Sequence, residues 1–146
     1  MTAAEQSEFL SAGLILNCAT NGADGWPHLM PLWYVMRYGE PWAWTFAKSQ
    51  KARNLERDPR ATAQVEAGDS YEELRGVMIE ANVEVIAETP VVFELAMEIF
   101  TKYGNGKRPG PEVAAMLRAQ APKRIAMRYR PVKTVTWDHR KLGGVY

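Results

Sequence analysis

Along this chain the apolar positions switch between two periods, every second residue and every third or fourth, and the switches mark the elements. Ser7 to Ala12 reads as a short helix that Phe9 and Leu10 give something to dock, ended by Gly13. Gly13 to Thr20 is a strand, and Asn21 to Trp26, with Asn-Gly and Asp-Gly pairs, is a hairpin loop. The next strand, Pro27 to Tyr38, carries Pro31 in its middle; a proline cannot donate to a ladder, so it predicts an edge or a bulge. Gly39-Glu40-Pro41 turns the chain into a strand from Pro41 to Ala47, rich in aromatics. A short helix follows, with Ser49 as N-cap, Ala52 and Leu55 on one face and Asp58-Pro59 as its end. Arg60 to Ala67 resumes strand character until Gly68-Asp69-Ser70 breaks it. Leu74 to Glu88 alternates at Ile79, Glu80, Val83, Glu84 and Val85, the mark of a half-solvated antiparallel strand. Thr89 as N-cap and Pro90 at N1 open a helix with Phe93, Met97 and Phe100 on one face. After the glycine- and proline-rich loop Asn105 to Pro111 comes a helix from Glu112 to Gln120, then a last strand from Lys123 to Trp137. Six strands with short turns, and helices inserted at the hairpins, predict a small closed antiparallel barrel. It is mainly β with peripheral helices, one domain over residues 1–146.

The charges sharpen one stretch, Thr45 to Pro59. Lys48, Lys51 and Arg53 crowd the start of its helix, where the macrodipole already favours anions. Free backbone N–H groups, a hydroxyl and two or three cations at one helix start make a phosphate or carboxylate site. A solvated basic surface helix is the competing reading of the same residues.

Composition narrows the function classes. Nearly half the residues are apolar and the net charge is +1, an ordinary soluble chain. Charge is uneven: Glu66 to Glu98 holds nine acids and one base, whereas Ile99 to Tyr146 holds eleven bases and two acids. Such asymmetry fits pairing within or between chains, and with no aromatic-spaced basic motif a nucleic-acid partner is not expected. Cys18 is the lone cysteine, so no disulfide and no cysteine metal cluster is expected, and its apolar surroundings predict a buried small hydrophobe. No apolar run reaches transmembrane length and no signal pattern opens the chain, so a cytoplasmic location is the default expectation.

Four motifs then stand in order: G-x-P-H-x-x-P-L-W (Gly25 to Trp33), T-x-x-x-S-x-K-x-x-N-L with D-P-R (Thr45 to Arg60), D-x-Y-x-x-L-R-G-V (Asp69 to Val77), and W-D-H-R-K-L (Trp137 to Leu142). This order resembles the pyridoxamine 5′-phosphate oxidase-like superfamily, and within it the flavin/deazaflavin-dependent oxidoreductases of the split β-barrel type. The resemblance implies a six-stranded split barrel and a homodimer with cofactor sites at the subunit interface. It assigns Thr45, Ser49 and Lys51 to the cofactor phosphate, with Gln50, Lys48 and Arg53 beside them. Met30, Pro31 and Trp33 would line the tricyclic ring, and Arg75 matches a segment that approaches from the partner chain.

K-S-Q-K-A-x-N-L and W-D-H-R-K-L look most like members that use coenzyme F420, a deazaflavin; FMN is the alternative cofactor. Gln50 stands where true pyridoxamine-phosphate oxidases carry Arg, and the G-G-V-Y end replaces their R-L-x-P tail, which argues against vitamin B6 oxidation. Asn82 sits where relatives usually have Gly. The resemblance implies hydride transfer to an unsaturated small molecule. A flavin reductase or oxidase, or a non-catalytic storage protein, remains open beside it. No catalytic acid is named by the sequence: His28, His139, Tyr71 and Tyr103 can all move protons. Trp42, Trp44 and Phe46 alternate onto one face, which predicts core or dimer packing; Trp26 is an exposed anchor or a cover for a site mouth.

Overall fold

A computed structural model describes residues 1–143 of the protein; the end of the G-G-V-Y segment, residues 144–146, lies outside the described residues. Its helices are α1 (Ala3–Ala12), α2 (Gln50–Arg57), α3 (Thr89–Tyr103) and α4 (Pro111–Gln120). Its strands are β1 (Leu16–Asn21), β2 (Pro27–Leu32), β3 (Tyr34–Arg37), β4 (Glu40–Phe46), β5 (Arg60–Ala67), β6 (Arg75–Ile86) and β7 (Arg124–Asp138). All neighbours are antiparallel, in the order β2-β1-β5-β6-β7-β4-β3.

The expected strand over Pro27 to Tyr38 is therefore two, and six strands become seven. Trp33 alone separates β2 from β3, yet these strands form opposite edges of the sheet. A sheet whose two edges are one residue apart in the chain has to curl, and the seam at Trp33 is what leaves the barrel split. Pro31 lies in β2 opposite Asn17, on the edge its missing donor requires. Pro131 is tolerated in the interior strand β7 because it lies past Arg128, where the pairing with β4 has ended, and beside a bulge. The β6–β7 register slips between Glu80 and Ala81, whose partners are Lys133 and Pro131, so Val132 bulges out and is 68% exposed.

Inward-facing positions alternate as the pleat demands. Leu16, Cys18 and Thr20 of β1, Ala61, Ala63 and Val65 of β5, and Val77, Ile79, Ala81 and Val83 of β6 fill the barrel with Tyr34 and Tyr129. Cys18 is buried as expected and accepts a hydrogen bond from the Tyr129 hydroxyl at 3.1 Å. A second core lies outside the barrel, where Val92, Leu95, Ala96 and Ile99 of α3 cover Val35, Trp42 and Ala126. Trp42 thus packs in a core, while Phe46 at the end of the same outer face is half exposed.

Helix starts follow their caps. A capping box between Thr2 and Glu5 begins α1 earlier than the apolar pattern suggests. In α3 the cap position is Glu88 and not Thr89, because Thr89 and Pro90 both lie inside the first turn. Part of the uneven charge is paired across one ladder: Arg128 and Arg130 of β7 bridge Glu84 of β6, and Lys133 bridges Glu80.

Candidate functional site

The local structure of Thr45 to Pro59 follows the sequence closely. Ser49 caps α2, its hydroxyl accepting the Ala52 N–H at 3.3 Å. The helix lies over one end of the barrel, with Ala52 and Leu55 in the core. The 100° step of a helix then sorts the cations. Lys51, one turn before Leu55, turns inward and is 8% exposed, while Lys48 and Arg53 remain at the surface.

Three polar side chains join at this helix start. The Lys51 ammonium donates to the Thr45 hydroxyl at 3.3 Å, and Thr45 donates to the Ser49 hydroxyl at 3.3 Å. An ammonium has three donors, and the described residues supply an acceptor for one, with no carboxylate in ion-pair range. Burial pushes the Lys51 pKa below the ordinary lysine value. A nearly buried cation with no counter-charge is an unfavourable arrangement that a bound anion would relieve.

Further along the same helix, Asn54 is fully buried and donates to the Thr20 hydroxyl at 3.0 Å, tying α2 to β1. Gln50 donates to the Asn54 side chain at 2.9 Å. Gln50 and Asn54 also line a groove of about 390 Å³ with Trp26 and His28 from the hairpin. Trp26 is 77% exposed at its rim, and the buried Nδ1 of His28 has no hydrogen-bond partner among the described residues. The role of Asn54 was hidden in the sequence behind its neighbours; its signal is the i, i+4 pairing with Gln50 on the face next to the buried one.

The ring-wall residues fall along β2. Met30 stands opposite buried Cys18, on the inward side of an edge strand with one neighbour, and is 42% exposed. Helix α2, which carries Lys51, packs against β1, the strand that β2 borders. Pro31 faces the outer side, opposite Asn17. Trp33 sits at the seam, about 10 Å further along the strand. Arg75 does not join the others within one chain. It lines a groove of about 360 Å³ at the α1 end with Glu5 and Glu8, its guanidinium 5.2 Å from the Phe9 ring. The neighbouring Gly76 is required by close approach, since a Cβ there would lie 2.2 Å from Trp137.

The other protonatable candidates have structural partners. His139 Nδ1 lies 2.8 Å from the Tyr71 carbonyl and its ring packs edge-on against Tyr71 at 4.8 Å, closing the C-terminal strand. Tyr103 stacks on Trp33. A groove of about 600 Å³ on the outer face between Pro27, Thr62, Asn82 and Val132 is lined by none of the Thr45–Lys51 side chains. Among the described residues no group of three or more metal-ligating side chains comes together. No helix among them is long and apolar enough to cross a membrane.

A curled antiparallel sheet split at one seam, with a cationic helix start at the barrel end, defines a split β-barrel of the cofactor-binding kind. The family model described as pyridoxamine 5′-phosphate oxidase matches residues 2–136, and the chain belongs to that family. Among similar solved structures is the conserved hypothetical protein Rv2991 of Mycobacterium tuberculosis, at 38% identity and TM-score 0.90, covering 100% of this chain and 90% of that one. An F420 reductase matches at 20% identity and TM-score 0.70, over 88% of this chain and 94% of that one. An FAD-binding protein from Mesorhizobium loti matches at 18% identity and TM-score 0.69, over 93% and 94%. The last two likenesses are of fold. A search of curated proteins finds no significant match.

Proposed function

We propose that this protein is an oxidoreductase that holds coenzyme F420 by its phosphate at the start of α2 and reduces an unsaturated small molecule. The observation that carries the reading is Lys51, 8% exposed with one hydroxyl acceptor and no carboxylate. That donor set fits a phosphate: Lys51 supplies the charge, while Thr45 and Ser49 supply short-range polar contacts. Lys48 and Arg53, exposed on either side, raise the local positive potential. Met30, on the inner side of β2, and Trp33, at the seam, form the wall for the ring, and Pro31 on the other side stiffens the backbone between them.

When bound, the deazaflavin supplies a hydride for an electron-poor double bond. The residues of this chain bind and orient it, and the apolar wall of β2 excludes water from one side of the ring. Bulk water can supply the proton that completes the reduction, and so can a protonatable side chain at the site. FMN is the second reading, supported by the FAD-binding neighbour and by a phosphate requirement that is the same.

A homodimer belongs to the same proposal. Helix α3, backed by α4, covers the outer face of β3, β4 and the start of β7, and among the described residues no helix packs on that side of β2, β1, β5 and β6. Leu29 at 63% and Val132 at 68% exposure stand on this open face beside the 600 Å³ groove. A second copy docked there would cover them, and is what could bring the partner's Arg75 to the site.

Paired titrations of the purified protein with F420 and with FMN, followed by cofactor fluorescence, test the reading. Micromolar F420 binding with weak FMN binding supports it. The reverse preference makes this a flavin enzyme, and binding without turnover of any enone or quinone acceptor makes it a storage protein. Binding of neither cofactor refutes the phosphate site.

A further inference from the structure

The seam at Trp33 is held from outside the barrel by the last turn of α3. The Tyr103 hydroxyl accepts the Tyr34 N–H at 3.0 Å and donates to the Leu14 carbonyl at 2.5 Å. Beside it the Lys102 ammonium donates to the Gly13 carbonyl at 2.6 Å and the Tyr34 carbonyl at 3.2 Å, and lies 4.1 Å above the Tyr34 ring. Both side chains therefore grip main-chain atoms on the two segments that meet at the seam, residues 13–14 and residue 34. The helix end needs none of this for its own closure. The N–H of Gly104 already bonds Phe100 and that of Gly106 bonds Thr101, both at 2.9 Å.

Trp33 is the residue this arrangement surrounds. It belongs to neither strand, so no ladder fixes its side chain. The Tyr103 ring stacks on the indole at 4.3 Å and 11°, and Phe100 meets it edge-on at 6.0 Å. The rest of the indole is open, with the residue 45% exposed. The orientation of Trp33 is thus set by two α3 rings, one of them locked by hydrogen bonds to the backbone on either side.

We propose that Tyr103 is a positioning residue that sets the plane of the Trp33 indole, and through it the fit of the cofactor ring. This rests on the assignment of Trp33 to the ring wall. Stacked aromatic pairs contribute modestly beyond their buried area, so removing the Tyr103 ring is expected to weaken cofactor binding about 3- to 10-fold.

The test is a double-mutant cycle on the dissociation constant, with Tyr103→Met, Trp33→Ala and the pair, alongside fluorine NMR of 5-fluorotryptophan-labelled protein. Tyr103→Met is expected to weaken binding and to shift the Trp33 resonance toward its solvent value. In the Trp33→Ala background the same change is expected to have no further effect. Tyr103→Phe, which keeps the ring, is expected to bind within about twofold of the unaltered protein. An unmoved Trp33 resonance, an additive loss in the double variant, or a loss in Tyr103→Phe as large as that expected of Tyr103→Met overturns the proposal. If Met at 103 prevents folding, Tyr103→Leu, which also removes the ring, takes its place in the cycle under the same expectations. The outcomes separate the levels of argument. Unaltered protein that binds no cofactor refutes the proposed function. Binding insensitive to Trp33→Ala refutes the ring-wall assignment. Binding sensitive to Trp33→Ala and insensitive to Tyr103→Met refutes this inference alone.

Discussion

Replacing Lys51 by Met should move ligand affinity and protein stability in opposite directions. The substitution keeps an unbranched apolar stem in a site that is 8% exposed, and removes only the ammonium. In the free protein that ammonium has one hydrogen bond, at 3.3 Å to a neutral hydroxyl, and burial depresses its pKa. The charge is therefore a net liability when no anion is present. Its removal is expected to leave the stability of the free protein unchanged or raise it, by up to about 1 kcal/mol, or roughly 2–4 °C in Tm for a domain of this size. With a phosphate bound the sign reverses. A charge-assisted hydrogen bond contributes about 1.5–3 kcal/mol, so F420 or FMN should bind roughly 10- to 150-fold more weakly. Lys51→Ala is expected to lose the same affinity, with a stability loss added for the missing stem. The assay is a fluorescence titration at fixed ionic strength, paired with thermal unfolding with and without ligand. A dissociation constant within twofold of the unaltered protein refutes the phosphate assignment. So does a lower Tm for Lys51→Met without loss of affinity, since Lys51 would then be a structural cation.

The same cation makes affinity depend on pH. Its pKa is depressed in the free protein and would be raised by a bound anion, so binding takes up a proton as pH climbs through the depressed value. The dissociation constant should be flat near neutrality, rise on the alkaline side below the ordinary lysine range, and be flattened there by Lys51→Arg; an unaltered protein with no alkaline rise contradicts this. Asn54→Ala should lower stability by about 1–3 kcal/mol by leaving Thr20 and Gln50 without their buried partner, read as a fall in Tm; an unchanged Tm would mean α2 is held by Ala52 and Leu55 alone. Gly76→Ala should cost at least about 1–3 kcal/mol, because its Cβ meets Trp137 at 2.2 Å, and the added strain should be relieved in Gly76→Ala/Trp137→Leu.

Much of the fold was legible because strands and helices announce their period. The alternation over Leu74 to Glu88 and Lys123 to Trp137 placed β6 and β7, and Ser49 with Asp58-Pro59 bounded α2. The division of Pro27 to Tyr38 was not legible: Pro31 pointed to an edge or a bulge, and the break falls two residues later at Trp33. Which edge a strand joins is decided by the pairing of distant strands, and nothing in the local pattern of Leu32-Trp33-Tyr34 says that the chain changes edges there. The proposed anion site was legible as a cluster of cations, and burial distinguishes its members. Lys51 is inward because it shares a face with Leu55, a relation present in the sequence that a count of charges at the helix start passes over. The clamp at Tyr103 was illegible for a different reason. Its partners are main-chain atoms of residues 14 and 34, about seventy to ninety positions away, and such contacts leave no pattern in residue types.

On the proposed function, the site's two demands fall in different parts of the fold. Charge recognition needs a helix start and a buried cation, which local sequence can specify, and α2 supplies both within seven residues of Thr45. Holding a flat ring needs an apolar edge whose orientation is fixed although its strand has ended. A closed barrel would offer no such edge, because every strand would be paired on both sides and its inner face filled. The split at Trp33 exposes one, at the price of a residue with no ladder to hold it, and α3 supplies the missing constraint from the outer layer. On this reasoning the helix that covers the second core has a part in the site as well as in stability, and Phe100 and Tyr103 should be less replaceable than Val92 or Leu95, whose contacts are with the core alone.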